Sequence, residues 1–152
     1  MARFRFSTHV AATPPDVFAL WTNLDRMHEW TEGVTKVTDV TGPPDEVGSR
    51  YTVWFGPLAS RSEVIEADPP RLVRTRFGHR LLRGQTVATF EPEGGGTRVA
   101  QEFETQGLVP AIVGRIFATG SRKGSFRGEL DAFRKLVERE RVGRGYTPTG
   151  EE

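Results

Sequence analysis

Three side chains of this 152-residue chain have the chemistry to move a proton inside a pocket: Tyr51, Glu63 and His9. A phenol donates a hydrogen bond or a proton, a carboxylate accepts a proton, and an imidazole does both near neutral pH. Each falls in a segment with strand-like alternation, so its position depends on which face of the strand points inward. We take Tyr51 as a candidate donor or acid, Glu63 as a candidate base, and His9 as a candidate only if its strand turns that side chain inward.

Other catalytic and metal-binding chemistries find no support in the spacing of residues. His9, His28 and His79 stand in a predicted strand, a short helix and a turn, and no H-E-x-x-H motif occurs. The chain has no cysteine, which excludes disulfides, thiolate zinc sites and cysteine nucleophiles. The glycine run at 94–96 lies between two predicted strands and does not open a helix, so we interpret it as a hairpin turn, not a phosphate loop. We therefore predict no metal and no cofactor.

The composition indicates one ordinary domain without a nucleic-acid partner. The 21 basic and 20 acidic residues leave a net charge of +1, whereas phosphate binding needs a surplus of Lys and Arg on one face. No run of about 18 apolar residues is present, so we expect no stable membrane insertion. The first six residues alternate Arg with Phe and do not resemble a secretory signal. A cytoplasmic location is the expectation.

The elements that must position the candidate side chains begin with a strand over Arg3–Val10, where polar and apolar residues alternate. Pro14 at the first helical position and a Thr-x-x-Asp cap from Thr13 then predict a short helix. A second short helix is predicted over Leu24–Glu29. Six further strands, separated by Gly, Pro and Asp turn signals, predict an antiparallel meander: Val34–Val40, Ser49–Phe55, Ala59–Ala67, Leu72–Phe77, Gln85–Pro92 and Thr97–Thr105.

A long helix is predicted over Pro110–Arg141, because apolar residues recur at helical spacing and no further proline interrupts it. At 1.5 Å per residue it would be about 48 Å long, enough to cross the domain. We assign residues 1–141 to a single domain and 142–152 to a flexible tail.

Gly120, Gly124 and Gly128 follow one another at intervals of four residues and therefore share one side of this helix. Each costs about 0.5–1 kcal/mol relative to alanine in a helix. The missing side chains leave room for a ligand or let the helix flex. Close helix-to-sheet packing and a weak solvent-facing segment explain them equally simply, and both interpretations stay open.

Several strings resemble the polyketide cyclase/dehydrase branch of the START-like superfamily. The segments 15–18 and 21–25 are similar to its entry helix, and 30–34 to the following W-x-x-G-V step into the second strand. Its strand starts and hairpin turns are matched by 47–51, 68–71 and 96–99. The resemblance implies an α+β helix-grip (Bet v 1-like) fold, in which a seven-stranded curved antiparallel sheet wraps around the long C-terminal helix, with two short helices after the first strand.

The same resemblance implies function only broadly. Members of this superfamily bind sterols, lipids, plant hormones or polyketides, and a minority act as aromatases or cyclases. The related Hsp90 ATPase activators usually show G-W-x-x-x-L near the last helix, and the segment from Gly124 to Leu130 departs from that motif.

Alternation predicts which side chains face an internal cavity. Val99, Gln101 and Phe103 share one face of their strand, and Tyr51 and Thr86 are further polar groups that would turn inward. Each polar group would orient a mostly apolar ligand, or would simply bond a neighbour or buried water. The predicted lining is Phe18, Trp21, Met27, Trp30, Tyr51, Val53, Phe55, Thr86, Ala88, Phe90, Val99, Gln101, Phe103, Ile112, Val113, Ile116, Phe117 and Gly120.

Three functions follow as hypotheses. The first is binding or carriage of a small hydrophobic ligand, aromatic, polyketide-like or lipid-like. The second is a polyketide cyclase or aromatase acting in the same cavity, and the third is an interaction domain with a filled core. The strand register of residues 59–77 and the choice between monomer and dimer stay open. A group of arginines is interpreted as solvated surface in preference to a basic patch for acidic lipid or a partner: Arg61, Arg71, Arg74, Arg76, Arg80 and Arg83.

Overall fold

The structure is a computed structural model that describes residues 2–31, 33–79, 82–107 and 126–143. It confirms the α+β helix-grip architecture, and every predicted strand is present. The strands are β1 (Ala2–Val10), β2 (Val34–Thr38), β3 (Arg50–Phe55), β4 (Leu58–Asp68), β5 (Leu72–His79), β6 (Leu82–Glu93) and β7 (Gly96–Gly107). They form one antiparallel sheet in the order β1-β7-β6-β5-β4-β3-β2.

Two short helical segments and one long helix accompany the sheet: α1 (Pro14–Trp21), a 3₁₀ helix (Leu24–Glu29) and α2 (Phe126–Gly143). The fixed φ of proline suits the first turn of α1, whose first backbone bond runs from the Val17 N–H to the Thr13 carbonyl at 2.9 Å. The predicted Thr13 side-chain cap is wrong, because that side chain makes no capping bond.

The C-terminal helix is confirmed over the part that the structure describes, from Phe126 onward. The segment 108–125 lies outside the described residues, and with it Ile112, Val113, Ile116, Phe117, Gly120 and Gly124. The tail predicted for 142–152 lies outside them from residue 144 on. The single-domain boundary at residue 141 stays a prediction.

β1 closes the sheet by pairing with β7, from Ala2 opposite Thr105 to Val10 opposite Thr97. Their outer face carries ion pairs between neighbouring strands, Arg3 with Glu104 at 2.5 Å and Arg5 with Glu102 at 2.6 Å. Gly96 is required here, because a Cβ at this position would collide with the Val10 carbonyl oxygen. The two strands therefore approach closely where β7 begins.

The chain leaves the regular ladder at two points that bend the sheet. β4 has a register shift between Val64 and Glu66, and β2 has one between Val34 and Lys36. Such irregularities increase local twist and let a sheet curve around its contents. β2 ends at Thr38, two residues earlier than predicted, because Asp39 adopts a positive φ of 57° that a strand does not accommodate.

α2 is tied to the N-terminal elements by polar contacts. The Ala11 N–H donates to Glu138 Oε2 at 2.9 Å. Arg26, in the 3₁₀ helix, donates to Glu140 at 3.0 Å and to its own neighbour Glu29 at 2.7 Å. The two carboxylates raise the pKa of Arg26, and the pKa of Glu29 is lowered by the hydrogen bond from that guanidinium. These bonds hold α2 beside α1 and β1.

Candidate functional site

The inner face of the sheet is the one that packs against α1, as the ring contact between Phe18 and Phe90 shows (centroids 5.3 Å apart). Cross-strand register assigns the other strands to this face. Ala88 on β6 lies opposite Gln101 on β7 and Val73 on β5, and all three are buried. The strand alternation predicted for β7 is confirmed, with Val99 and Gln101 facing inward and Glu102 outward.

Five polar residues cross this inner face, one from each of the strands β3 to β7. The register places Tyr51 opposite Ser62 and Thr75 opposite Thr86. Thr75 also lies opposite Val64, two residues after Ser62, and Gln101 lies opposite Ala88, two residues after Thr86. We call these residues the polar row: Tyr51, Ser62, Thr75, Thr86 and Gln101. Ser62, Thr75 and Gln101 are buried, and Tyr51 and Thr86 are partly buried.

The polar row divides into two groups of neighbouring side chains. The Gln101 side-chain amide donates from Nε2 to Thr86 Oγ1 at 3.2 Å. The Tyr51 hydroxyl is near the Thr75 and Ser62 side chains, which act to lower its pKa. An amide has two N–H groups and an acceptor oxygen, and the bond to Thr86 uses one of those N–H groups. The row therefore presents neutral donors and acceptors to the inside of the sheet.

Tyr51 is the member of the row with an acidic proton. Burial raises the pKa of its phenol above the ordinary value of 10.0, and the Thr75 and Ser62 side chains act in the opposite direction. The phenol is consequently protonated at neutral pH and acts as a hydrogen-bonding group.

One end of the inner face is filled by five aromatic rings, which we call the aromatic cluster: Phe18, Trp21, Trp30, Phe90 and Phe133. Trp21 lies 4.7 Å from Trp30 and 5.0 Å from Phe133 between ring centroids, and Trp30 lies 4.9 Å from Phe133. Their rings contact one another and the Phe133 ring of α2, so they pack as part of the core. That Phe18, Trp21, Trp30 and Phe90 line a cavity stays a prediction.

Trp30 has a buried polar atom within the aromatic cluster. Its indole Nε1 is buried without a hydrogen-bond partner, and it is the single such side-chain atom in the part of the chain that the structure describes. The residue as a whole is 8% exposed. Leaving a buried donor unpaired costs about 1–3 kcal/mol, which the surrounding ring contacts must offset.

Two of the predicted acid–base candidates lie on the wrong face. His9 is exposed on the outer face of β1, with Nδ1 at 2.9 Å from Glu93 Oε1. Glu63 faces outward on β4 and accepts a bond from Arg76 at 2.8 Å. Thr8 and Val64, next to them in sequence, face inward, and strict alternation sends their neighbours out. Tyr51 alone among the three candidates reaches the inner face.

The remaining lining residues divide by position. Val53, Ala88 and Val99 are buried on the inner face. Phe103 is partly buried and packs edge-on against Phe77, with centroids 5.5 Å apart. Met27 is partly buried in the 3₁₀ helix. Phe55 was predicted to line the cavity, but it is 41% exposed because β3 ends there and no described element covers it.

Ser62 and Thr75 were not predicted as site residues, because the register of 59–77 was open. The sequence did contain the signal: Glu63 and Arg76, and likewise Glu66 and Arg74, are opposite charges on neighbouring strands. They form outer-face ion pairs at 2.8 and 2.9 Å. Placing these charges outward turns Ser62 and Thr75 inward.

The comparisons with known proteins agree with this geometry. Residues 1–138 match the family described as "Polyketide cyclase / dehydrase and lipid transport". The chain belongs to this family. Among curated proteins, none matches the chain. In the described part of the chain, no helix is long and apolar enough to cross a membrane. The same residues contain no group of three or more His, Asp or Glu side chains that could hold a metal ion.

Solved structures of similar fold span nearly the whole chain. A protein from Thermobifida fusca is 19% identical with a TM-score of 0.70, and the match covers 91% of this chain and 95% of that one. A protein from Thermus thermophilus is 17% identical with a TM-score of 0.66, over 91% and 99% of the two chains. The Aha1 dimer from Colwellia psychrerythraea is 14% identical with a TM-score of 0.69, over 91% and 97%. At these identities the likeness establishes the helix-grip fold.

Proposed function

We propose that this protein binds a small hydrophobic ligand on the inner face of its sheet and orients it through the polar row. The observation that carries the proposal is the row itself, in which five consecutive strands each contribute a neutral polar side chain to the inner face. A filled core gains little from polar groups, since each must be matched to avoid a desolvation penalty. A binding site, in contrast, uses a few placed polar groups on an apolar lining.

The family description supports the same class of ligand, because it pairs polyketide chemistry with lipid transport. Both names denote largely apolar molecules that carry hydroxyl or carbonyl groups. Neutral donors and acceptors such as Gln101 and Tyr51 suit those groups, because hydrogen bonds satisfy them without the cost of burying a charge.

The cyclase or aromatase alternative needs an acid and a base that converge in the pocket. The three candidates do not form such a pair, because His9 and Glu63 lie on the outer face and bond Glu93 and Arg76. Tyr51 remains as a donor to a substrate oxygen. Orientation of the ligand is therefore the role that we propose for the row.

A pair of probes of equal shape tests this role. Competition binding, with N-phenyl-1-naphthylamine as the fluorescent reporter, compares 2-naphthol with 2-methylnaphthalene, which replaces the hydroxyl by a methyl group. We expect 2-naphthol to bind about fivefold to tenfold more tightly, as one net hydrogen bond contributes on the order of 1 kcal/mol. Gln101→Leu and Thr86→Val should reduce this preference.

Thr89→Val is the matched control, because Thr89 lies on the same strand but faces outward and is only partly buried. It should leave both affinities unchanged. Failure of either probe to bind, or an equal loss of preference in the control, would contradict the proposed site. Native mass spectrometry of protein purified from cells then gives the mass of any ligand that it retains.

A further inference from the structure

The hairpin that joins β3 to β4 ends in exposed apolar residues. Phe55 is 41% exposed and Leu58 is 45% exposed, and they lie opposite each other in the register on either side of Gly56 and Pro57. We call this segment, 55–58, the apolar tip. Exposed apolar side chains that lie together on a surface are typical of a contact site.

Three cations lie at the same end of the sheet as the apolar tip. Lys36 sits over the Trp54 ring, 5.1 Å from its centroid, and Trp54 lies next to Phe55. Arg61 follows Leu58 by three residues, and both Arg61 and Arg83 lie opposite Gly78, from the two sides of β5. We call Lys36, Arg61 and Arg83 the basic rim.

The basic rim differs in its pairing from the arginines of β5 and of the turn that precedes it. Towards the far end of β4 and β5, Arg71, Arg74 and Arg76 each bond a carboxylate, at 2.8 to 2.9 Å. Within the described part of the chain, no ion pair involves Lys36, Arg61 or Arg83. Among the described residues, the arginine group that the sequence presents as one surface is thus divided into an end with ion pairs and an end whose positive charges have none.

We propose that the apolar tip and the basic rim together dock this protein on an anionic lipid surface. Apolar side chains enter the boundary between headgroups and acyl chains, while Lys and Arg bind the anionic headgroups beside them. Uncompensated charge is complementary to such a surface and not to an apolar partner. Phe55 and Leu58 continue the inner-face positions of Tyr51 and Ser62, so docking brings that face to the membrane.

The proposal predicts binding to vesicles by the full chain with no ligand added. Sedimentation with phosphatidylcholine vesicles that contain phosphatidylglycerol should carry the protein down, and pure phosphatidylcholine vesicles should bind it far less. Binding should fall as salt is raised, because the headgroup attraction is screened. The combined Arg61→Gln and Arg83→Gln variant should bind about 25-fold more weakly, near fivefold for each cation.

Matched variants at the far end separate docking from general effects. Phe55→Ser with Leu58→Ser should reduce vesicle binding, whereas Val47→Ser, at a residue that is 65% exposed before β3 begins, should not. Arg71→Gln with Arg74→Gln should likewise have little effect, because these arginines are paired. Thermal melting shows that each variant is folded.

Equal losses in the tip and far-end variants would overturn the proposal, as would the absence of vesicle binding. Recruitment of a protein partner through the tip without any vesicle binding would also overturn it. The 2-naphthol assay stays independent of these outcomes, because the tip variants leave the polar row intact. Failure to dock is thereby distinguished from failure to bind a ligand.

Discussion

The aromatic cluster and the polar row lie on the same face of the sheet but differ in chemistry: the first is made of packed rings and the second of hydrogen-bonding side chains. In the aromatic cluster, the rings of α1, β6, α2 and Trp30, which follows the 3₁₀ helix, have centroids 4.7 to 5.7 Å apart, and Phe133 is fully buried. In the polar row, neighbouring strands contribute hydroxyls and an amide, and the Gln101 amide donates to the Thr86 hydroxyl. The first region gains stability from apolar contact, while the second places hydrogen-bonding groups where the first has rings.

With the proposed function, this contrast means that the sheet separates stability from ligand recognition along its strands. The cluster is held by the part of α2 that Glu138 and Glu140 tie to Ala11 and Arg26. Changes in the cluster should therefore alter folding, and changes in the row should alter ligand preference. Three substitutions test this separation.

The largest effect is expected for Phe133→Ala. Truncating a fully buried ring that contacts Trp21 and Trp30 should lower the free energy of unfolding by about 3–5 kcal/mol. Phe77→Ala, at a partly buried ring beyond the polar row, is the comparison and should cost less. Urea denaturation followed by circular dichroism measures both, and an equal cost would show that the face is core throughout.

Tyr51 gives the next effect, as a pH dependence. Its folded pKa is raised by burial, so above about pH 10 the unfolded phenol loses its proton while the folded one retains it. The stability contributed by this group is present below pH 10 and is lost as pH rises, by at most ~1.4 kcal/mol per pH unit. The melting temperature of wild type should thus fall more steeply than that of Tyr51→Phe in this range. Parallel curves would show that the phenol is not desolvated.

The smallest effect is expected for Trp30→Phe. The substitution removes part of a large ring but also removes an indole N–H that is buried without a partner. These contributions oppose each other, since an unpaired donor costs about 1–3 kcal/mol, and the net change should stay within about 1 kcal/mol. A loss above about 3 kcal/mol, measured by the same urea titration, would mean that ring packing outweighs the unpaired donor.

Most of the fold was predictable because its signals are local. Period-two alternation and Pro or Gly turns located every strand within a few residues, and Pro14 marked the start of α1. The pairing of β1 with β7 has no local signal, since it joins distant parts of the chain. The match between Arg3, Arg5 and Glu104, Glu102 is visible only once that register is known.

The site was predicted in part, for a related physical reason. Alternation correctly placed Tyr51, Thr86 and Gln101 on one face, because each lies in a strand with regular polar and apolar residues. Phe55 follows the alternation of the inner face, yet its side chain is exposed. Alternation predicts the face on which a residue lies but not whether another element packs over it. The contacts of Phe133 with Trp21 and Trp30 could not be predicted, because they join residues that are about a hundred positions apart in the sequence.

The pairing of β1 with β7 also affects the order in which the sheet forms. β1 is synthesised early, but it can pair only after the segment from Thr97 to Thr105 has been made. Contacts between residues so far apart in the sequence form slowly. Until then Phe4 and Phe6 lack the strand residues that lie opposite them in the folded sheet, Phe103 and Gln101. Arg3 and Arg5, which alternate with these rings, keep the waiting strand charged and discourage its association with other chains.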